Sequence, residues 1–461
     1  MADSAAASPR PPSRGVLHAL GLHRPELRAW AMYDWGISGM QTIIMAAVFP
    51  IFYVSVAGAD RPAGSASATE WYGWSQTVAS ILIAVLSPVL GAVADFKAAK
   101  KRFLTLFMLL GAFATMAMYF IHRGDLFLAS TLLVLSLAGA TGSMTFYESL
   151  LPHIASEDEI DRVSTGAYAL GYIGGGLLLA ANLAWITNPA LIGLPTGDNL
   201  PPDAASLPVR IGFVVVGFWW IAFALPVLRR VPEPPRTLEA DERAGQPALR
   251  VAFARLRETL GELRQFRQAA LAMVAFTIYN DGIQTVIKMA TPFGAEIGLP
   301  TSSLITAILI VQFVGIPFAF AFGLLAGRIG TKAAILLGLV AYTGICTYAY
   351  FIHTMTEFYI LALLVGAVQG GTQALSRSLF ANMVPKHKSG EFFGFYSVFE
   401  KFGGILGPAV FAVAVGQGGS SRSAIVWLIV FFVIGGALLT RVDLAEGERL
   451  AREADAKLLN A

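Results

Sequence analysis

Ionisable and amide side chains interrupt long apolar runs of this sequence at helical spacings. Asp281, Gln284 and Lys288 stand at i, i+3 and i+7, while Gln369, Gln373 and Arg377 stand at i, i+4 and i+8. Asp34 and Gln41 are seven apart, and Thr141, Thr145 and Glu148 form one further stripe. Tyr396, Glu400 and Lys401 cluster in another run, and Tyr168 and Tyr172 add hydroxyls in a fifth. The first four sets each fall on one face of a helix. These types do not make a bond-breaking centre: no nucleophile–base set, no metal-ligand spacing and no phosphate-binding loop accompanies them. They suit recognition of a polar solute, ion pairing between helices and proton carriage by a desolvated carboxylate.

The elements that carry them follow from composition. The chain has 461 residues, 56% of them hydrophobic and only 14% charged, with a mean hydropathy of +0.63. Soluble domains carry about 25% charged residues, so this composition excludes an ordinary soluble enzyme, a nucleic-acid binder and a disordered scaffold. The single cysteine, Cys346, excludes a disulfide framework. A bilayer core of about 30 Å is crossed by about 20 apolar residues in a helix. Twelve stretches meet that length: 29–56, 71–94, 103–121, 126–151, 163–187, 209–229, 268–293, 303–326, 333–352, 357–381, 391–416 and 424–440, here spans 1 to 12. Internal prolines (Pro50, Pro88, Pro292, Pro317, Pro408) are tolerated because neighbouring helices re-satisfy the freed backbone groups.

Most of the 33 Lys and Arg residues fall in the termini and in the loops after even-numbered spans; Arg61, Arg123, Arg210 and Arg422 fall on the other side. The asymmetry predicts both termini in the cytoplasm. Residues 1–27 read as a disordered cytoplasmic tail and 442–461 as a second tail. Residues 231–267 form a linker between a six-helix half at 28–230 and another at 268–441. Within the linker, Leu249, Phe253, Leu256, Leu260 and Leu263 alternate at spacings of four and three beside Arg250, Arg255, Arg257 and Arg264. That pattern predicts an amphipathic helix on the cytoplasmic membrane face, a strut between halves, with a regulatory or partner-binding role as the alternative.

The halves repeat at a constant offset. Gly91 corresponds to Gly323, Lys100 to Lys332, Gly171 to Gly403 and Gly175 to Gly407, with Tyr33-Asp-Trp-Gly-Ile resembling Tyr279-Asn-Asp-Gly-Ile at another offset. Gly91-Ala-Val-Ala-Asp95-Phe-Lys-Ala-Ala-Lys100 and Gly323-Leu-Leu-Ala-Gly-Arg328-Ile-Gly-Thr-Lys332 are similar to the loop motif G-x-L-A-D-R-x-G-R-K of the major facilitator superfamily. The first copy lacks the internal Arg and Gly, the second lacks the Asp. Further strings narrow the resemblance: Arg28-Ala-Trp-Ala-Met-Tyr-Asp-Trp35, Phe146-Tyr-Glu-Ser-Leu-Leu-Pro152, Gln373-Ala-Leu-Ser-Arg-Ser-Leu-Phe380 and Gly390-Glu-Phe-Phe-Gly-Phe-Tyr396. Over residues 28–441 the chain resembles the vacuole effluxer, autophagy-related branch.

The resemblance implies an all-α membrane protein with twelve transmembrane helices, the major facilitator fold of two six-helix pseudo-repeats. It implies a secondary transporter of a small organic solute, amino acids foremost, working by alternating access without a cofactor. The alternative on the same fold is a receptor that does not transport, or a lipid-handling protein. By analogy, Gly91, Asp95, Lys100 and Arg328 form a conformational latch, with Asp95 capping the start of span 11 near Ser389–Glu391. Spans 1, 4, 7 and 10 carry ionisable groups where spans 3, 6, 9 and 12 carry none in their apolar cores, which predicts a polar lumen. Asp281, Gln284, Lys288, Gln373, Gln41 and Tyr172 are the expected substrate ligands. Asp34, Glu148, Arg377, Glu400 and Lys401 are expected to couple or gate. The expected partners are a small solute, protons and the bilayer, with no nucleic acid. The expected form is a monomer in a bacterial inner membrane, or a vacuolar one in a eukaryote.

Overall fold

The computed structural model describes residues 15–60, 68–197, 200–236, 246–262, 266–296, 298–402 and 425–459. The described residues form helices and no strand. Spans 2 to 10 occupy Ala68–Lys97, Lys100–Ala117, Leu126–Ser149, Ile160–Thr187, Pro202–Arg230, Arg267–Glu296, Thr301–Ile329, Thr331–Tyr350 and Met355–Asn382. Span 11 is described over Ser389–Phe402, and span 12 includes Ile429–Thr440. The 403–424 stretch lies outside the described residues, and with it Gly403, Gly407 and Pro408. Nine described helices are long and apolar enough to cross a bilayer, and two bent pairs pass the same test together. The protein is a multi-pass integral membrane protein.

Local sequence explains where helices start and bend. Span 10 opens on a capping box, with Thr354 Oγ1 accepting the Glu357 N–H and Glu357 Oε2 accepting the Thr354 N–H. Span 1 begins with Pro25 at its first turn, as α-helix Pro25–Met40, then widens into π-helical turns at Gln41–Ala47 and Tyr53–Ala57. Its two parts, Pro25–Ala47 and Phe49–Ala57, meet at 41°. Pro50 lacks the N–H an α-helix would bond four residues back, and its ring crowds that carbonyl. Span 6 starts at Pro202, earlier than the expected 209. Arg210 is therefore buried two turns inside the helix rather than in an outer loop, and donates to the Asp203 carbonyl at 2.7 Å.

Pairs of helices from before and after the linker form the long seams: span 5 against span 8, span 2 against span 11, and span 5 against span 10. Glycine makes these approaches close. A Cβ on Gly91 would stand 2.2 Å from the Gly390 carbonyl oxygen, and one on Gly394 would stand 2.8 Å from Pro88 Cα. On the other seam, a Cβ on Gly323 would meet Thr165 Oγ1 at 2.2 Å. Small residues at such crossings let backbones touch, the source of packing energy in lipid. The linker helix, the 2–3 and 8–9 turns and the helix Leu444–Leu459 share one face of the bundle, the linker face.

The linker helix, Ala248–Glu262, is docked on span 2 rather than lying on the membrane alone. Val251, Ala252, Arg255 and Leu256 are buried, and Leu249 and Phe253 are exposed. The side chains of Leu260, Leu263 and Arg264 lie outside the described residues.

Gly91→Ala is expected to force spans 2 and 11 apart, because the atom opposing the new methyl is backbone. A loss of about 1–3 kcal/mol, the usual cost of overpacking, is expected in thermal denaturation of the detergent-purified protein. An unchanged midpoint would show that the seam yields.

Candidate functional site

Arg377, near the linker-face end of span 10, is the centre of the site. Its side chain is 1% exposed, and its ion-pair and hydrogen-bond partners described here come from spans before the linker. Both Nη atoms donate to Asp34 Oδ2 of span 1 at 3.3 Å, and Nη1 is 4.0 Å from Glu148 Oε1 of span 4. Nε donates to Ser164 Oγ and Nη2 to the Ser164 carbonyl of span 5, each at 3.0 Å. Trp30 and Tyr168 offer ring faces at 4.9 and 4.6 Å from the guanidinium carbon. Cation–π attraction strengthens where the cation is desolvated.

The partners are themselves held. The Tyr147 hydroxyl donates to Asp34 Oδ2 at 2.9 Å, and Trp30 Nε1 donates to the Tyr147 carbonyl at 2.9 Å while the two rings stack. Ser164 Oγ donates back to the Ala374 carbonyl of span 10 at 2.7 Å. Planar guanidinium geometry uses these directions together. Tyr168 also lies within the fields of Glu148, Asp34 and Glu400.

Two further polar clusters join the halves on the linker face. In the first, Asp95 Oδ2 accepts the backbone N–H of Glu391 at 3.0 Å, at the start of span 11, where the helix dipole favours an anion. Asp95 Oδ1 pairs with Lys100 Nζ at 2.8 Å, and Lys100 also reaches Ser389 Oγ and, at 3.0 Å, His153 Nε2. Glu233 of the linker accepts the backbone N–H groups of Lys100 and Lys101 at 2.7 and 2.9 Å. It thereby caps span 3, which has no side-chain cap of its own. Burial pushes the Glu233 carboxyl above its ordinary range, against the two N–H bonds that favour its charged form. In the second cluster, Asp161 of span 5 accepts from Thr331 of span 9 and Ser378 of span 10.

The two loop copies therefore differ. Asp95 supplies the carboxylate in the first. In the second, Gly327 stands at the corresponding place and Asp161 of the facing helix supplies one instead. Arg328 is exposed, and the structure does not bring it to Asp95 or Lys100; its partner in the repeat, Lys332, donates to the Thr440 and Val442 carbonyls. Ala98 occupies the motif's second glycine position with φ of +49°, whereas Gly330 keeps the glycine in the second copy with φ of +88°.

Polar stripes run from the Arg377 cluster toward the opposite face. Gln373 and Gln369 continue the Arg377 face of span 10, both half-buried, and Gln41 continues the Asp34 face of span 1 and is exposed. On span 7, Gly282 and Tyr279 pack on span 12, so the same helix turns Gln284 and Lys288 away from that outer neighbour. Gln284 is half-buried, Lys288 is exposed, and Asp281, one turn nearer the linker face, is fully buried. Glu400 is half-buried; the side chain of Lys401 lies outside the described residues. Tyr172 does not stand with this set. Its ring is buried in the seam, 2.8 Å from where a Cβ on Gly315 would lie and 2.3 Å from one on Gly370. The structure places the Tyr172 ring between spans 5, 8 and 10, apart from the stripes of Gln373 and Gln284.

Ser164, Asp161 and the Thr42–Gln312 hydrogen bond of 2.5 Å between spans 1 and 8 escaped the sequence reading. Hydroxyls within helices carry no spacing signal, and Asp161 sits where a helix-start acid is ordinary. A cavity of about 350 Å³ lies toward the opposite face, lined by Ala47, Val48, Ile51, Leu183, Ile186 and Ile305 among others. Its lining is mostly apolar, unlike the polar lateral groove that lipid scrambling would use. Among the described residues, no three His, Cys, Asp or Glu side chains gather as a metal site.

Two outcomes follow for the clusters. Arg377→Gln removes the guanidinium that Asp34 and Glu148 face, a loss of about 3–5 kcal/mol, whereas Asp34→Asn leaves Arg377 its approach to Glu148 at 4.0 Å and is expected to lose less. The double variant is expected to lose much less than the sum, measured as a thermal double-mutant cycle; simple additivity would refute the coupling. Ala98→Gly relieves a left-handed Cβ, costing about 1–2 kcal/mol, and is expected to raise the unfolding midpoint.

The comparisons with known proteins agree with the fold. Residues 23–452 match the family described as vacuole effluxer Atg22 like. The chain is 35% identical over 415 residues to the MFS-type transporter YxiO of Bacillus subtilis, covering 90% of this chain and 94% of that one. It is 24% identical over 307 residues to autophagy-related protein 22-1 of Aspergillus niger, covering 62% of this chain and 48% of that protein. Among solved structures, the proton:xylose symporter XylE shares the fold at a TM-score of 0.70 and 14% identity, over 92% of this chain and 98% of that one. FucP in its outward conformation does so at 0.65 and 13%, over 92% and 99%. The protein is an MFS-type transporter, not an enzyme, and belongs to the vacuole effluxer Atg22-like family.

Proposed function

We propose that this protein moves a small organic solute carrying both charge signs, amino acids foremost, by alternating access driven by protons. The linker face is the cytoplasmic face in this reading, and the state described is closed there. One observation carries it: a buried Arg377–Asp34–Glu148 bridge between the halves lies beneath the accessible stripes of Gln41, Gln284, Lys288, Gln369 and Gln373. A solute entering from the opposite face would meet those stripes and stop at the bridge. Lys288 would pair with a carboxylate, Asp281 with an ammonium, and the glutamines would hydrogen-bond either group.

For the cycle to proceed, the Arg377 bridge must open on the linker face while a seal forms on the other. Glu148 is the proposed coupling acid. It lies within reach of Arg377, and protonating it would weaken the pair that closes the gate. Asp95, Lys100 and Glu391 act as a latch that favours the closed linker face.

Thermal-shift screening of amino acids, peptides and sugars across pH is expected to find a stabilising ligand whose effect disappears in Lys288→Ala. A wild-type response in that variant would remove Lys288 from the site. In proteoliposomes, Glu148→Gln is expected to lose uptake driven by a proton gradient and to keep counterflow exchange. Loss of both would assign Glu148 to binding or folding, and binding without saturable flux would refute transport altogether.

A further inference from the structure

The linker helix has two working faces. One is buried: Ala252 and Leu256 pack with Val89, Ala92 and Val93 of span 2, Phe103 of span 3 and Phe395 of span 11. On that face Arg255, 2% exposed, places Nη1 3.4 Å from Glu391 Oε1 and stands 5.9 Å over the Phe96 ring. Glu391 is the residue whose backbone N–H is held by Asp95. One helix outside both bundles therefore contacts span 2 from one half and the start of span 11 from the other.

The second face points away from the protein. Leu249 and Phe253, one turn apart, are 59% and 60% exposed, and Arg250 and Arg257 are exposed beside them. Position 89 lies eight residues inside the end of span 2 at Lys97, about 12 Å along a helix at 1.5 Å per residue. The linker helix thus sits alongside the end of a membrane span, level with the boundary between headgroups and acyl chains. There, exposed Leu and Phe enter the acyl boundary, and adjacent arginines meet anionic headgroups.

We propose that the linker helix is a docking surface for anionic phospholipid and that, through Arg255, it clamps the Asp95–Glu391 latch closed. Leu249 and Phe253 anchor the helix, Arg250 and Arg257 select negative headgroups, and Arg255 transmits the anchored position to span 11. The clamp rests on the proposed alternating opening of the linker face; the lipid surface does not.

Two measurements on the full chain test it. Native mass spectrometry is expected to show preferential retention of phosphatidylglycerol over phosphatidylcholine. Arg250→Gln with Arg257→Gln is expected to weaken it by about thirty-fold, roughly fivefold per arginine near a charged surface. Both positions are exposed, so folding is preserved. Equal retention by wild type and this variant overturns the surface, as does equal suppression by free inorganic phosphate and by phosphatidylglycerol vesicles. Spin labels at Lys97→Cys and Arg328→Cys, with Cys346→Ala, read the linker-face separation in nanodiscs. Phosphatidylglycerol at about 30% is expected to enrich the short distance over pure phosphatidylcholine, and Arg255→Gln is expected to abolish that enrichment while lipid retention persists. Enrichment surviving in Arg255→Gln overturns the clamp. A single distance in every bilayer, with arginine-dependent retention intact, overturns alternating access and the clamp but supports the lipid surface.

Discussion

A guanidinium removed from water inside a membrane protein sets the terms for everything near it. Arg377 cannot shed its charge, and moving a charge into low dielectric costs several kcal/mol per ion unless excellent geometry offsets it. The surroundings meet that demand from three helices at once: a carboxylate on span 1, a second on span 4, a hydroxyl and a carbonyl on span 5, and aromatic faces on two sides. Because the cation comes from one side of the linker and its partners from the other, satisfying the charge and joining the halves are the same event. The junction at this point is consequently made of discrete partners rather than continuous apolar packing.

The other clusters repeat this logic with weaker groups. Asp95 holds a helix start and a lysine together, and Asp161 holds two hydroxyls. The repeat is one of position, not of chemistry: the carboxylate lies on span 2 in one place and on span 5, facing the repeat, in the other. Glycines at the seams bring the backbones near enough for these short side chains to reach across. Close approach and polar bridging are thus interdependent, since a wider seam would strand the buried Asp95 and the half-buried Asp161.

Several parts of this were readable in the chain. The stripe of Gln369, Gln373 and Arg377 and the pair Asp34 and Gln41 are periodicities, and a helix converts periodicity into a face. Asp95 at the start of span 11 was legible through the loop motif. Arg255 was not: among arginines on an amphipathic helix, nothing marks the one that turns inward to Glu391. Nor was the place of Tyr172 legible: glycines on two distant helices, Gly315 and Gly370, make a slot for its ring. Arg328 belonged to a repeat yet stands exposed.

Sequence alone determined that the chain crosses a bilayer many times and which helices must carry charge inward. Both follow from hydropathy and a 3.6-residue period, properties each segment has by itself. Tertiary structure alone decided which charges meet and which hydroxyls serve them. Those outcomes depend on helix neighbours hundreds of residues apart, and a burial cost is defined only once the neighbours that exclude water are in place.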